Sequence, residues 1–371
     1  MNSYFQCSCQ YDNLGDLLIN KLLVDELGRY GKVYVDASGA PDRFAEALLR
    51  NEQAVDASNS VAAAANGVSR RLALAKFLRS NHVRLIADSP GPTFSSTYIN
   101  GIRLWNNRLR NLLLRMSGIK VVNIGKCCSN LIADGNDFRD TFANSYLMRS
   151  EASVAHVAES IGQERVRFVP DLCFLMNYMP GVTAQNKRRI ALFDIRLTND
   201  HNELLNWCRQ LASDFIAQSF DVIVYYQVES DRPAAMRLFE SIADLGVQIR
   251  RELVWYDDLG FFADKMFVVS NRLHSLLCGA AYGAFPICMY QETPKTLKLR
   301  HVMESSFRSE LPVLYENGNK PKGNLTEFYK LHEGKLAVDF ERNALMCRSA
   351  VSDMLNCNAN IRKQHASIRK H

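Results

Sequence analysis

The sequence of 371 residues lacks the short motifs that mark several large enzyme classes. It contains no glycine-rich dinucleotide loop, no Gly-x-x-x-x-Gly-Lys-Ser/Thr phosphate loop and no Gly-x-Ser-x-Gly nucleophile elbow. No internal repeat of short period is present either. Any chemistry therefore has to come from residues that the fold brings together, and not from one of these local motifs.

Cysteine is present but too sparse for a disulfide scaffold. There are ten cysteines, and none of them forms a Cys-x-x-Cys pair. Cys7 and Cys9 are separated by one residue, while Cys127 and Cys128 are adjacent, and neither spacing fits a structural zinc site. We expect these residues to be small buried apolar side chains in a reducing compartment, and we predict no metal ion.

Long apolar runs are missing as well. The longest uncharged run, 275–291, is interrupted by Gly279, Gly283 and Pro286, and it falls short of the roughly 20 apolar residues that span a bilayer. Residues 1–10 show no basic segment followed by an apolar one, so no secretion signal is predicted. We expect a soluble, cytoplasmic protein that is at most peripheral at the inner face of the membrane.

The charge balance argues against nucleic-acid binding. The chain has 45 Lys and Arg against 39 Asp and Glu, a net charge of +6, and residues 362–371 alone contribute +4. A nucleic-acid-binding protein usually spreads basic residues over its folded body. The basic tail has two interpretations, a frayed solvated segment or a weak electrostatic contact with an anionic membrane surface.

What the sequence does contain is an alternation of strands and helices. Short apolar runs predict strands, and stretches with apolar residues every three or four positions predict helices. The predicted strands are 4–8, 32–36, 83–87, 120–124, 145–148 and 166–169, then 190–195, 221–226, 267–270 and 285–289. The main predicted helices are 14–30, 98–116, 151–161, 202–218, 232–245, 273–282 and a closing helix at 340–355.

A polar stretch at 177–189, with Pro180 and Gly181, separates two such blocks and predicts a linker. The fold class is therefore α/β, with two Rossmann-like doubly wound domains that face a cleft. We predict an N-terminal domain at 1–178, a C-terminal domain at 188–335, and a C-terminal helix with a basic tail at 336–371.

Ligands of open α/β sheets bind beyond the carboxyl ends of the strands, close to helix N-termini. At one such junction, a strand at 267–270 is followed at once by a predicted helix. Ser270 or Asn271 is expected to be the N-cap, which places Arg272 and His274 in the first turn. A helix N-terminus with an arginine favours an anion, and a histidine transfers protons near neutral pH. The alternative is an arginine paired with an acid and a histidine that is satisfied in an interface.

Two further junctions carry polar residues at the expected positions. Asn13, Gly15 and Asp16 lie between the first strand and the first helix, where they could face the cleft or serve as a plain N-cap. Arg196 follows the first strand of the second block, and the alternative for it is a surface ion pair. Lys295, after the strand at 285–289, could complete a basic pocket, and the alternative for it is again a surface ion pair.

These stretches together resemble the polysaccharide pyruvyl transferase family. The residues that carry the resemblance are Asn13-Leu14-Gly15-Asp16, Met148-Arg149 with Ser153, Pro170-Asp171-Leu172-Cys173-Phe174, Arg272-Leu273-His274, Gly283-Ala284-Phe285-Pro286 and Lys295. They occur in the family's order across about residues 5 to 300. Three departures stand out: Ser150 replaces an aspartate, Asp88 to Pro92 replaces a loop with paired glycines, and Lys295 is offset by an insertion.

The resemblance implies two Rossmann-like domains in a GT-B-like arrangement. It also implies transfer of pyruvate from phosphoenolpyruvate to two hydroxyls of a sugar, in a cell-surface polysaccharide or its lipid-linked or nucleotide-linked precursor. The second domain would bind phosphoenolpyruvate and the first the saccharide acceptor. No cofactor or metal is required, since arginines and the helix dipole neutralise the donor.

The same resemblance assigns roles to individual residues. Arg272 and Arg196 would bind the phosphate and carboxylate, and Arg149 would also contact substrate. His274 would act as the general acid or hold the phosphate, and Asp16 or Asn13 would orient or deprotonate a hydroxyl.

Two other functions fit the same fold. One is a GT-B glycosyltransferase that uses a nucleotide-sugar, for which Glu292 is the nearby acidic candidate for a ribose contact. The other is a non-catalytic binding protein.

Overall fold

The computed structural model describes residues 1–59, 67–92, 101–128, 138–182, 186–197, 202–289, 294–307, 313–315 and 323–368. Within this part, two parallel sheets are each covered by helices on both faces, as the strand and helix alternation predicts. No described helix is long and apolar enough to cross a membrane.

The first sheet has the strand order β3-β2-β1-β4-β6-β7-β8, with the short strand β5 beside β6. Its strands are β1 (Asn2–Gln6), β2 (Val33–Asp36), β3 (Ala54–Asp56), β4 (Val83–Asp88), β5 (Gly91–Pro92), β6 (Lys120–Cys127), β7 (Ser145–Met148) and β8 (Val166–Phe168). Its helices are α1 (Leu14–Gly28), α2 (Asp42–Leu49), α3 (Gly67–Ser80), α4 (Gly101–Met116) and α5 (Glu151–Ile161).

The second sheet has the order β11-β10-β9-β12-β13-β14. Its strands are β9 (Arg188–Asp194), β10 (Asp221–Val224), β11 (Gln248–Ile249), β12 (Lys265–Ser270), β13 (Phe285–Met289) and β14 (Val313–Tyr315). Its helices are α6 (Asn202–Ala217), α7 (Arg232–Ile242), α8 (Leu273–Ala281), α9 (Pro294–Ser306) and α10 (Leu325–Ile368). In each sheet the strand order reverses once, between β1 and β4 and between β9 and β12, and ligands of such sheets bind at this reversal.

The two faces of the first sheet belong to different cores because side chains alternate along each strand. Tyr4 of β1 packs with Leu78 of α3 and Leu114 of α4 on the outer face. Phe5 points the other way and joins a core that continues through α1 into the second sheet. The helices α1 and α2 therefore lie on the side of the cleft, and α3, α4 and α5 form the outer layer.

The loop after β1 ties the two halves together. Asn13 forms an isolated antiparallel bridge with Val228, in the segment that follows β10. The Leu14 amide donates to the carbonyl of Gln227 at 3.1 Å, and the Glu229 amide donates to that of Asp12 at 3.3 Å. The N-terminus of α1 is thus fixed between the carboxyl edges of the two sheets.

The C-terminal helix differs from the prediction. A helix was expected at 340–355, and α10 runs from 325 to 368. Its extra N-terminal turns bury Leu325, Tyr329 and Leu336, whose spacing was masked by the charged residues between them. The helix returns to the first half, where the thiol of Cys347 donates to the carbonyl of Pro170 at 3.5 Å and the Lys120 ammonium donates to the carbonyl of Met354.

Other differences concern short or polar elements. The segment 177–189 was expected to be a linker throughout, but β9 begins at Arg188. The first two residues of this strand are exposed arginines, so they look like part of the polar linker in the sequence. The edge strands β3, β11 and β14 have two or three residues each, too few for a period to be visible. The helix expected at 98–116 starts at Gly101, and residues 98–100 lie outside the described part.

Candidate functional site

The candidate site lies where the N-termini of α1 and α8 meet. Asn13 is the N-cap of α1, and its Oδ1 accepts a hydrogen bond from the Gly15 amide at 2.9 Å. The capping role proposed as the alternative for Asn13 is therefore present. The same loop faces the second half of the chain through its bridge to Val228, so capping and a position at the cleft coincide.

Gly15 is required by the close approach of His274. A Cβ atom at position 15 would lie 2.5 Å from Cγ of the His274 ring and closer still to Nδ1. His274 is the second residue of α8, in its first turn as predicted. Two helices from different halves of the molecule thus bring their first turns into contact, and only a glycine leaves room for the imidazole.

Behind His274 lies a buried row of charged groups. Oδ2 of Asp171 is 3.6 Å from Nε2 of His274 and accepts a hydrogen bond from Nη1 of Arg149 at 2.8 Å. Oδ1 of Asp171 accepts from the Cys173 amide at 3.0 Å. Burial raises the pKa of Asp171, but the charges of His274 and Arg149 outweigh that effect and hold the pKa well below its usual range. An ionised Asp171 therefore lies behind the imidazole of His274.

Asp171, Cys173 and His274 lie close enough together to suggest a metal site. The chemistry of these groups does not suit one. The guanidinium of Arg149 already occupies Oδ2 of Asp171. Burial, with a hydrogen bond to Cys278, raises the pKa of the Cys173 thiol well above its usual value, which opposes the thiolate that a metal needs. The three residues are better described as part of an ion network.

Asp16 supplies a carboxyl group at the same place. Its Oδ2 accepts a hydrogen bond from the Gln10 amide at 3.1 Å. Burial raises the pKa of Asp16, although the charges of His274, Arg149 and Arg272 act in the opposite direction. A carboxyl with a raised pKa is suited to accept a proton from a substrate hydroxyl.

The sequence placed Arg272 in the first turn of α8. In the structure it lies one residue earlier, at the N-cap position. The side chain of Asn271 is used elsewhere: its Oδ1 accepts from the Arg196 amide at 2.7 Å and its Nδ2 donates to the Arg196 carbonyl at 2.9 Å. The Arg272 guanidinium forms an ion pair with Asp231. The ion pair named as the alternative for Arg272 is thus present, and its buried Nε has no hydrogen-bond partner among the described residues.

A group of cations surrounds this centre. Burial lowers the pKa of Lys298, in α9, and the neighbouring charges of Arg149, Arg196 and Arg272 lower it further. Arg196 is exposed at the carboxyl end of β9, and no acid of the described residues pairs with it. Burial also lowers the pKa of Lys126, at the end of β6, to about 8. Positive charge from both halves thus converges near His274.

The sequence analysis named Lys295 for this pocket. Its backbone lies in the first turn of α9, but its side chain is outside the described part. Lys298, one turn later on the same helix, was missed, as was Lys126. The positions of both in the sequence could have pointed to them. Lys298 lies about one helical turn after Lys295, and Lys126 lies at the carboxyl end of a strand. Glu292 also lies outside the described residues.

Comparisons with known proteins identify the fold. No family model matches the sequence, and no curated protein matches it. A glycosyltransferase from Rickettsia africae has a similar structure, with a TM-score of 0.54 and 11% identity over 98% of each chain. Similar too is S. aureus MnaA, solved with UDP, with a TM-score of 0.51 and 9% identity over 97% of this chain and 96% of that one.

The UDP-GlcNAc 2-epimerase from Neisseria meningitidis bound to UDP-GlcNAc has a TM-score of 0.50 and 11% identity, over 96% of this chain and 99% of that one. At these identities the similarity concerns the fold alone. Together with the two doubly wound parallel sheets, it shows that this chain has the predicted GT-B-like fold of two Rossmann-like α/β domains.

Proposed function

We propose that this chain is a sugar-modifying transferase that binds a phosphate-bearing donor between its two sheets. The observation that carries the proposal is that Lys298 neighbours both Arg149 and Arg196, while Arg149 also neighbours Asp16 and contacts His274 through Asp171. Asp171 and Asp231 neutralise part of this charge, but Arg196 and Lys298 remain for an anionic ligand. A site with surplus cations beside a proton-transfer pair suits a donor whose phosphate is the leaving group.

In this proposal each group has a role set by its position. Arg196, Lys298 and the first amides of α8 bind the phosphate. His274, held against ionised Asp171, gives a proton to the donor as the bond to the phosphate breaks. Asp16 accepts the proton of the attacking sugar hydroxyl, since its carboxyl faces the same point from α1.

The first candidate for the donor is a nucleotide-sugar. Two of the structures with a similar fold contain UDP or UDP-GlcNAc. This supports glycosyl transfer, the alternative in the sequence analysis, more than it supports pyruvyl transfer. The acceptor would be the hydroxyl of a saccharide, either free or lipid-linked.

Pyruvyl transfer from phosphoenolpyruvate is the second candidate, and a different observation favours it. Four separate stretches of the resemblance, at Asn13–Asp16, Arg149, Asp171 and Arg272–His274, come together around one imidazole. Phosphoenolpyruvate carries a phosphate and a carboxylate, which suits cations placed on both sides of the cleft. His274 would then protonate the methylene carbon while one sugar hydroxyl adds to C2 of phosphoenolpyruvate and gives its proton to Asp16. The second hydroxyl would replace the phosphate at C2, which leaves with that hydroxyl's proton, and this closes the cyclic ketal.

Thermal unfolding with UDP, GDP, phosphoenolpyruvate and inorganic phosphate tests the proposal. A ligand at about 100 times its dissociation constant adds roughly 2.7 kcal/mol, enough to raise the midpoint by several degrees. Lys298→Met should abolish the shift, whereas Arg300→Gln, two residues along the same helix and paired with Glu304, should keep it. A nucleotide-specific shift supports glycosyl transfer, and a shift with phosphoenolpyruvate alone supports pyruvyl transfer. No shift with any of them, with or without a saccharide acceptor, contradicts the donor site.

A further inference from the structure

Helix α4 presents an apolar stripe to solvent. Six large apolar side chains of this one helix are exposed, half of the twelve exposed in the described part of the chain. They are Ile102, Trp105, Leu109, Leu112, Leu113 and Met116, with exposed fractions from 44% to 77%. Their spacing of three or four residues places them along one side of the helix.

The opposite side of α4 is firmly attached to the first sheet. Leu104 and Leu114 are buried there, and Nδ2 of Asn111 donates to the carbonyl of Thr141 at 2.7 Å. Nε of Arg108 donates to the carbonyl of Asp140 at 2.8 Å. The apolar stripe therefore does not arise from a loosely packed helix that could rotate to bury it.

Two of the three helices in the outer layer, α3 and α4, are strongly basic, whereas α5 carries Glu151 and Glu159. Helices α3 and α4 together hold eight Lys and Arg and no acid, although the whole chain has a net charge of only +6. Lys76, Arg79 and Arg115 are exposed. An isologous contact with a second copy would place these like charges opposite one another, which disfavours that occupant. An anionic surface would pair with them.

We propose that α4 docks this protein on the surface of an anionic lipid bilayer. The stripe enters the boundary between headgroups and acyl chains, where a tryptophan such as Trp105 is favoured, and the exposed Lys76, Arg79 and Arg115 contact lipid phosphates. The inference is independent of which donor the cleft binds. It also places the membrane contact on the folded body and not on the C-terminal tail.

Co-sedimentation with vesicles tests this docking. The full chain should bind phosphatidylcholine vesicles that contain about one third phosphatidylglycerol, and bind phosphatidylcholine alone at least about tenfold more weakly. The variant Ile102→Ser/Trp105→Ser/Leu109→Ser should lose about tenfold or more of this affinity. The matched control is Leu331→Ser/Val338→Ser/Leu345→Ser, which removes three exposed apolar side chains from α10 and should bind as the wild type does.

Two further measurements separate the outcomes. Substitution of Arg362, Lys363, Arg369 and Lys370 by Gln should change binding less than the α4 variant does, and the reverse order would overturn the proposal. Trp105 emission should shift to the blue on vesicles, a change that Trp105→Phe removes. Neither of the other two tryptophans should report the contact, because Trp255 is buried and Trp207 lies on α6, in the second half of the chain. Sedimentation equilibrium completes the test: a wild-type dimer that the α4 variant converts to a monomer would make this face a contact between copies and overturn membrane docking.

Discussion

Helices α1 and α4 cover opposite faces of the same sheet, and they differ in how far their apolar side chains are buried. In α1, Leu14, Leu17, Leu23 and Leu27 are all buried, because this helix is enclosed between the sheet, α8 and the turn at 172–176. In α4, six large apolar residues remain exposed, because the described residues that pack on this helix, those of the sheet and of the segment 140–142, cover its opposite side. Two helices with many apolar residues thus have different roles. Helix α1 is buried and positions residues of the site, whereas α4 presents a candidate binding surface.

The largest expected difference between the two faces concerns buried charge. Asp171→Asn on the cleft side leaves Arg149 buried without its ionic partner, and should cost about 3–5 kcal/mol of unfolding free energy. Asp140→Asn on the outer side removes the partner of Arg165, where both side chains keep some solvent contact, and should cost only about 1 kcal/mol. Urea unfolding measures both values. Equal losses of unfolding free energy would show that the buried ion pair on the cleft side matters no more to stability than the partly exposed one on the outer side.

The second difference between the two faces concerns one glycine in each helix, Gly15 in α1 and Gly101 in α4. Gly15→Ala forces the His274 ring, and with it the first turn of α8, away from α1. Donor binding should weaken by about 10- to 100-fold, the loss expected when an amide of that turn no longer donates to the phosphate. Gly101→Ala, in the first turn of α4, meets open space and should change donor binding less than about twofold. Ligand-dependent thermal shifts give both dissociation constants. A Gly15→Ala protein that binds normally would contradict the close helix contact.

The smallest expected effect is a pH dependence that belongs to the cleft side. Lys126 has a pKa of about 8 in the folded chain because it is buried, and an unfolded lysine titrates near about 10.4. Between these values the unfolded chain binds more protons, so the free energy of unfolding should rise with pH, by about 1–3 kcal/mol. Below about pH 8 the full cost of the buried charge is present. Lys126→Met should remove the Lys126 share of this rise and leave the share of Lys187, whose pKa burial also lowers to about 8. Lys76→Met, on the outer layer, should retain the full rise, as measured by urea unfolding at pH 8 to 10.

Local patterns predicted much of this structure. Helix α1 and strands β7 and β13 follow from periodicity, and their bounds agree with the sequence to within two residues. Strand ends followed by helices also led to Asn13, Asp16 and His274, because such junctions collect on one edge of a parallel sheet.

The partners of these residues were beyond sequence reasoning. Asp231 lies 41 residues before Arg272, and Asp171 lies 103 positions before His274, and no local spacing encodes either pairing. The basic surplus was assigned to the C-terminal tail, while α3 and α4 hold a larger one. It was overlooked because charge was summed along the chain and not over the layer that two separate helices form.

The return of α10 to the first half has a consequence for synthesis of the chain. The contact of Cys347 with Pro170 joins residues 177 positions apart. At about 5–20 residues per second, a ribosome takes roughly 10–35 seconds to supply the second partner after the first. Throughout that interval the turn at 172–176, which orients Asp171, lacks the helix that covers it. We expect the nascent first half to be a substrate for chaperones, and its charged centre to assemble only after α10 emerges.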